Sequence, residues 1–265
     1  EQHKFGVRQR IELSNKGGKE CDILLMSATP IPRTLVMAVY GDMDVSRLVE
    51  KPMNRKEIIT LSKPEEKIDE ILLFIKKQIE DSFRVKQSIL QNEEIIQLIL
   101  DVSKETIDAY KAGNKTILAG NGGSAADAQH IAGEFVSRFY FDRPGLPSLA
   151  LSTDTSVITA IGNDYGYEKV FARQIQANGK SGDIFIAIST SGNSANILEA
   201  LKESKKNGII TVGLTGQSGG LMKELCDYCI CVPSEETPRI QEAHILIEHI
   251  ICSIVEEEIF GQDSE

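Results

Sequence analysis

The chain has 265 residues, of which 41% are hydrophobic and 26% charged, with a formal net charge of −10. This length can bury a sizeable core, and the composition excludes a collagen, a disordered tail and a disulfide-rich mini-scaffold. The acidic balance argues against a nucleic-acid binder that works by bulk electrostatics.

No run approaches the roughly 18 apolar residues a membrane helix needs. Glu1, Gln2, His3 and Lys4 lack a basic-then-apolar signal pattern. Five cysteines are an odd number, so a disulfide framework is not expected, and a reducing cytoplasm is. Residues 1–75 hold 12 Lys+Arg and 12 Asp+Glu; the remainder holds 17 basic and 27 acidic residues, the whole of the −10. Such asymmetry predicts two pieces, 1–75 and 76–265.

In the first piece, residues 21–28 read as a short buried strand and Thr29-Pro30-Ile31-Pro32 as a turn. Arg33 to Tyr40 reads as a helix closed by Gly41, and Ile58 to Leu61 as a second strand. From Glu65 the spacing of Ile68, Ile71, Leu72 and Ile75 is helical. In the second piece, residues 86–112 read as one long amphipathic helix ending near Gly113. Strand-length apolar runs follow at 116–119, 148–151, 184–188, 209–214 and 229–232. Helical patterns lie between them at 124–138, 157–162 with 170–177, 194–206 and 221–226, and a final helix spans about 238–260. This alternation predicts an α/β fold: a doubly wound, five-stranded parallel sheet with helices on both faces.

Ligands of such sheets sit beyond the carboxyl ends of the strands. Two strand-to-helix turns there carry chemistry. Gly120-Asn121-Gly122-Gly123-Ser124 lets the backbone approach an anion at a helix start. Ser189-Thr190-Ser191-Gly192-Asn193-Ser194 sets four hydroxyls and a glycine at another. Either loop alone would read as an ordinary capping turn; two at the same end of one sheet predict a phosphorylated small molecule. Neither is followed by the Gly-Lys-Ser/Thr of a Walker A loop.

His130 and Glu134, four apart, share a helix face; Gln241 and His249 lie two turns apart on the last helix. Imidazole, carboxylate and amide groups can build a divalent metal site or a proton-transfer pair, although an isolated pair at this spacing is also an ordinary surface feature. Cys226, Cys229 and Cys231 lack a second ligand pair and read as small buried residues. Lys202, Lys205 and Lys206 read as a solvated helix face.

Residues from about 77 to 261 resemble the phosphoheptose isomerases of the sugar-isomerase (SIS) domain group. The resemblance is carried by Gly120-Asn121-Gly122-Gly123-Ser124, Ala128-Gln129-His130, Gly162-Asn163-Asp164, the Ser189–Ser194 loop and Arg239-Ile240-Gln241-Glu242. It implies interconversion of sedoheptulose 7-phosphate and D-glycero-D-manno-heptose 7-phosphate, in heptose synthesis for lipopolysaccharide or capsule. It implies that Ser189, Thr190, Ser191 and Ser194 hold the phosphate. It implies that Asn121, Gly122, Gly123, Ser124, Asn163, Asp164 and Gln241 contact the sugar. It maps one Zn²⁺ onto His130, Glu134, Gln241 and His249, and the acid–base pair onto Glu134 and His249. It implies a cytoplasmic homotetramer with active sites shared between subunits, no membrane and no functional nucleic-acid binding. Where some members carry an acidic residue before the Arg-Ile-Gln-Glu run, this chain has Pro238.

Residues 1–75 resemble something else. Glu1-Gln2-His3-Lys4-Phe5-Gly6-Val7 and Ser27-Ala28-Thr29-Pro30-Ile31-Pro32-Arg33-Thr34 look like motifs II and III of a RecG-type ATP-dependent DNA helicase. The leading acidic residue of motif II and the Walker A loop are missing, so the segment is expected to be a fragment unable to hold Mg²⁺–ATP. Two rivals to the isomerase remain: a non-catalytic relative that binds a phosphosugar or the replication initiator, and a nucleic-acid motor. The first has lost the counterparts of Glu134 and His249, both present here.

Overall fold

The computed structural model describes residues 67–261; the expected strands, turn, helix and helicase-like motifs of the first piece lie outside the described residues.

The first helix, α1 (Ile68–Leu90), runs unbroken through position 76. A second, α2 (Glu93–Lys111), follows. The single helix expected over 86–112 is therefore two. Asn92 is the reason: its side-chain oxygen accepts from the N–H groups of Glu94 and Ile95 at 3.1 Å, capping a new helix start.

The alternation then begins with β1 (Thr116–Gly120), α3 (Gly123–Val136), β2 (Ser148–Ala150) and α4 (Thr155–Tyr165). A 3₁₀ turn at Tyr167–Lys169 leads into α5 (Val170–Asn178). Next come β3 (Ile184–Ile188), α6 (Ala195–Lys206), β4 (Ile210–Thr215) and the short α7 (Met222–Leu225). The chain reaches β5 (Tyr228–Cys231) and closes with α8 (Thr237–Phe260). Pro238 stands in the first turn of α8, where a missing N–H costs nothing and a fixed φ favours the helix.

The strands form one parallel sheet in the order β2-β1-β3-β4-β5. Alternate side chains serve two cores. Ile184, Ile186 and Ile188 of β3 face the core made with α2, α3 and α8, while Phe185 and Ala187 face the one made with α5 and α6. Both faces are covered, which is why the strands read as continuous apolar runs. The order reverses between β1 and β3, so the helices after these two neighbours leave to opposite faces and a crevice opens between their first turns. Among the described residues no helix is long and apolar enough to cross a membrane.

Candidate active site

The β1–α3 turn and the β3–α6 turn face each other across that crevice. Asn121 and Asn196 join them through a reciprocal amide pair, each Nδ2 donating to the other's Oδ1 at 2.9 Å. The Tyr167 hydroxyl donates to Asn121 Oδ1 at 3.3 Å. Neither Asn196 nor Tyr167 was singled out by sequence. The available signal at Asn196 was a polar residue beside Ile197, Ala200 and Leu201 on the buried face of α6. Gly122 takes φ +58 at the start of α3, a conformation glycine adopts without strain.

In the second turn, Ser189 and Ser194 hydroxyls lie 3.0 Å apart, and Ser191 Oγ accepts from Asn193 N at 3.2 Å. Ser194 stands at the N-cap of α6 without a side-chain cap bond, so its hydroxyl stays on the loop side. The loop is held from behind: Gly216 N donates to Thr190 O at 3.0 Å, Met222 N to Gly192 O at 3.1 Å and Leu221 N to Asn193 Oδ1 at 3.0 Å. Hydroxyls at a helix N-terminus, fixed by a rigid loop, suit a phosphate group. Asn163 and Asp164, at the exposed end of α4, bond to each other, Nδ2 to Oδ1 at 2.9 Å.

The second cluster lies where α3 packs along α8. His130 Nε2 is 2.9 Å from Glu134 Oε1 and 3.3 Å from His249 Nε2. The three form the one His/Cys/Asp/Glu group among the described residues whose ligand atoms lie close enough to hold a metal ion. The spacing fits an ion. Bonds of about 2.0–2.1 Å to two imidazole nitrogens in a tetrahedron put those nitrogens about 3.3 Å apart. Gln241 sits over Gly123, in the first turn of α3, and no hydrogen bond joins it to His130, Glu134 or His249 among the described residues. His130, Glu134, Gln241 and His249 thus lie along one helix–helix seam, with Gln241 at its glycine-turn end and the His–Glu–His trio about two turns along.

Two buried titratable groups lie on α8 between Gln241 and His249. Glu248, next to His249, is 1% exposed and neither carboxylate oxygen has a partner. Burial, then the Asp127 charge, push its carboxyl well above the usual range. His244 is pushed down to about 4, because burial disfavours its cation more than the Thr215 carbonyl at 3.2 Å favours it. The signs oppose. A raised carboxyl contributes stability that is lost as pH rises; a lowered imidazole contributes stability that is lost as pH falls from 6.5 towards 4. In a Glu248→Gln chain only His244 of this pair titrates, so stability should fall by about 3 kcal/mol across that window. Urea unfolding of Glu248→Gln at several pH values checks this; a flat profile would refute the account of His244.

Cys226, Cys229 and Cys231 are half-buried rather than buried; the last two lie on β5, an edge strand. Cys229 and Cys231 sulfurs lie 4.0 Å apart on one face of it.

Known proteins share this sequence and this fold. The SIS domain family matches residues 81–216. The "Phosphoheptose isomerase" of Aneurinibacillus thermoaerophilus is 68% identical over 187 residues, covering 71% of this chain and 94% of that protein. "Phosphoheptose isomerase 2" of Campylobacter jejuni is 70% identical over 189 residues, with the same two coverages of 71% and 94%. The solved phosphoheptose isomerase of Neisseria gonorrhoeae superposes with a TM-score of 0.67 at 37% identity, over 71% of this chain and 99% of that one. The family match over residues 81–216, the identity to these relatives and the superposition on a solved one place the chain in the SIS domain family, among its phosphoheptose isomerases.

Proposed function

We propose that this chain is an aldose–ketose isomerase converting sedoheptulose 7-phosphate to D-glycero-D-manno-heptose 7-phosphate, a precursor for lipopolysaccharide or capsule. The observation that carries the reading is the convergence of His130, Glu134 and His249 within hydrogen-bond range, in a chain so similar to proteins named for that reaction.

The reaction moves a proton between adjacent carbons through an enediolate, which takes a base, an acid and stabilisation of the oxyanion. Glu134 and His249 act as the proton-transfer pair, and His130 holds the Glu134 carboxylate. Ser189, Thr190, Ser191 and Ser194 hold the phosphate, whose binding energy positions the reacting carbons. Asn121, Gly122, Gly123, Ser124, Asn163, Asp164 and Gln241 bind the sugar chain. Asn121 is oriented for this by Asn196 and Tyr167. His130, Glu134 and His249 would hold one Zn²⁺ per subunit, with Gln241, which rests over Gly123, reaching in as the fourth donor; the ion would supply Lewis-acid polarisation of the substrate oxygens.

The assembly we propose is a homotetramer in the cytoplasm. Leu73, Phe74, Ile79 and Phe83 of α1 are 70%, 61%, 66% and 62% exposed, apolar surface of the kind that subunits cover. Light scattering that returned a monomer would remove this part.

The test is turnover of sedoheptulose 7-phosphate by the purified chain, before and after chelation. Turnover lost on chelation and restored by Zn²⁺ is expected. No turnover with metal supplied would refute the activity, and full turnover after exhaustive chelation would refute the metal. A DNA-stimulated ATPase assay should read zero.

A further inference from the structure

One buried ion pair takes no direct part in the reaction yet ties both halves of the proton-transfer pair together. Arg143, in the connection between α3 and β2, is 2% exposed along its side chain and faces a Glu256 that is 1% exposed. Its Nε donates to Glu256 Oε1 at 2.9 Å. Its Nη2 donates to the backbone oxygen of Glu134 at 2.9 Å, and its Nη1 to that of Phe135 at 2.7 Å and of Pro144 at 3.0 Å. Glu256 also accepts from the backbone N–H groups of Phe139, at 2.8 Å, and Tyr140, at 2.6 Å. Burial would raise this carboxyl, but the two N–H groups and the guanidinium together hold it below its usual range.

The consequence is geometric. Glu134 lies in the last turn of α3, where the helix leaves carbonyls without intrahelical partners. Arg143 takes two of them, those of Glu134 itself and of Phe135. Glu256 lies seven residues after His249 on α8, two turns along the same face. The same carboxylate anchors Phe139, whose ring sits 5.5 Å from the His249 ring at 43°. One guanidinium–carboxylate pair therefore fixes the register of the helix bearing Glu134 against the helix bearing His249, and seats an aromatic ring on His249.

We propose that Arg143 and Glu256 are positioning residues for the isomerisation, setting the Glu134–His249 geometry through backbone and Phe139 contacts. This rests on the assignment of Glu134 and His249 under Proposed function. Neither residue reaches the phosphate loop, which sits at the start of α6 on the other face of the sheet. A positioning role thus separates the chemical step from substrate binding. Misplacement of about 1 Å costs on the order of a hundredfold in rate.

The test compares Arg143→Lys with the wild-type chain. Lysine keeps a positive charge beside Glu256, so no buried carboxylate is left without a cation, but it lacks the planar fork that reaches four acceptors. The expected result is a kcat lower by about tenfold to a hundredfold, with KM for sedoheptulose 7-phosphate within about twofold. Zn²⁺ affinity, read by competition with a chromophoric chelator, should weaken by a similar factor, about tenfold to a hundredfold. Phe139→Leu, which leaves the ion pair intact, should lower kcat in the same direction with KM unchanged. Unaltered kcat and Zn²⁺ affinity in a folded Arg143→Lys chain would overturn the proposal, as would a loss shared equally by kcat and KM alongside a lowered melting temperature. A wild-type chain that neither turned over the sugar nor bound Zn²⁺ would remove the underlying assignment as well, a result distinct from normal wild-type turnover with an indifferent variant.

Discussion

Glu134→Gln should lose about 10²–10⁴ in kcat while the protein stays folded and still binds its phosphosugar. The substitution is isosteric and removes the ability to take and hold a proton, together with the carboxylate charge offered to a metal. Glu134 is a quarter exposed along its side chain, and its partner His130 is about half exposed. A pair so open to water contributes little to stability, on the order of 0–1 kcal/mol. The melting temperature should therefore barely move. KM should change little, because the phosphate contacts lie in another turn of the sheet. Steady-state kinetics on the two chains, with thermal unfolding as the control, decides the matter. Turnover within a few-fold of wild type would move the proton chemistry to another residue. Loss of activity together with loss of fold would mean that Glu134 holds structure instead.

The second large effect is expected at Gly192→Ala, and it should appear in binding. Gly192 adopts φ +66, a region that costs an L-residue about 1–2 kcal/mol. A β-carbon there would also collide with the backbone carbonyl of Gly219 and come within 2.9 Å of Thr215 Oγ1. The carbonyl belongs to main chain and cannot swing aside, so the loop must shift. Ser191 and Ser194 flank the residue, and their hydroxyls move with it. We expect KM for the phosphosugar to rise at least about tenfold, from loss of roughly 1.4 kcal/mol or more of binding. Stability should fall by about 1–3 kcal/mol. Inhibition by a non-reacting sugar phosphate should weaken in parallel. An unchanged KM would show that this turn does not hold the phosphate.

These two variants probe features that differ in how far the sequence disclosed them. The glycine- and serine-rich turns were legible directly. Helix starts, positive-φ positions and hydroxyl clusters are set by a few adjacent residues, and adjacent residues are what a sequence displays. His130 and Glu134 were legible as a pair for the same reason, since four residues of helix bring them to one face. The alternation of apolar strands and amphipathic helices likewise gave the class of fold, because each period reports which side of an element meets the core. The break between α1 and α2 was a local feature too, but it was hidden. The apolar spacing continues across Gln91 and Asn92, and only the cap formed by the Asn92 side chain interrupts the helix.

What the chain folds into at longer range was decided by packing. His249 meets His130 across 119 residues, Asn196 meets Asn121 across 75, and Arg143 meets Glu256 across 113. No local steric rule specifies such pairs. They follow from the strand order β2-β1-β3-β4-β5, which sets two loops side by side, and from the seating of α3 along α8. The sequence by itself determined the elements, the anion-fit turns and the residue types able to move a proton or hold a metal. Tertiary structure decided which of them share a site and which sulfurs remain half open to solvent at the sheet edge, because burial of two separate cores, not neighbouring residues, fixes how the helices lie against the sheet.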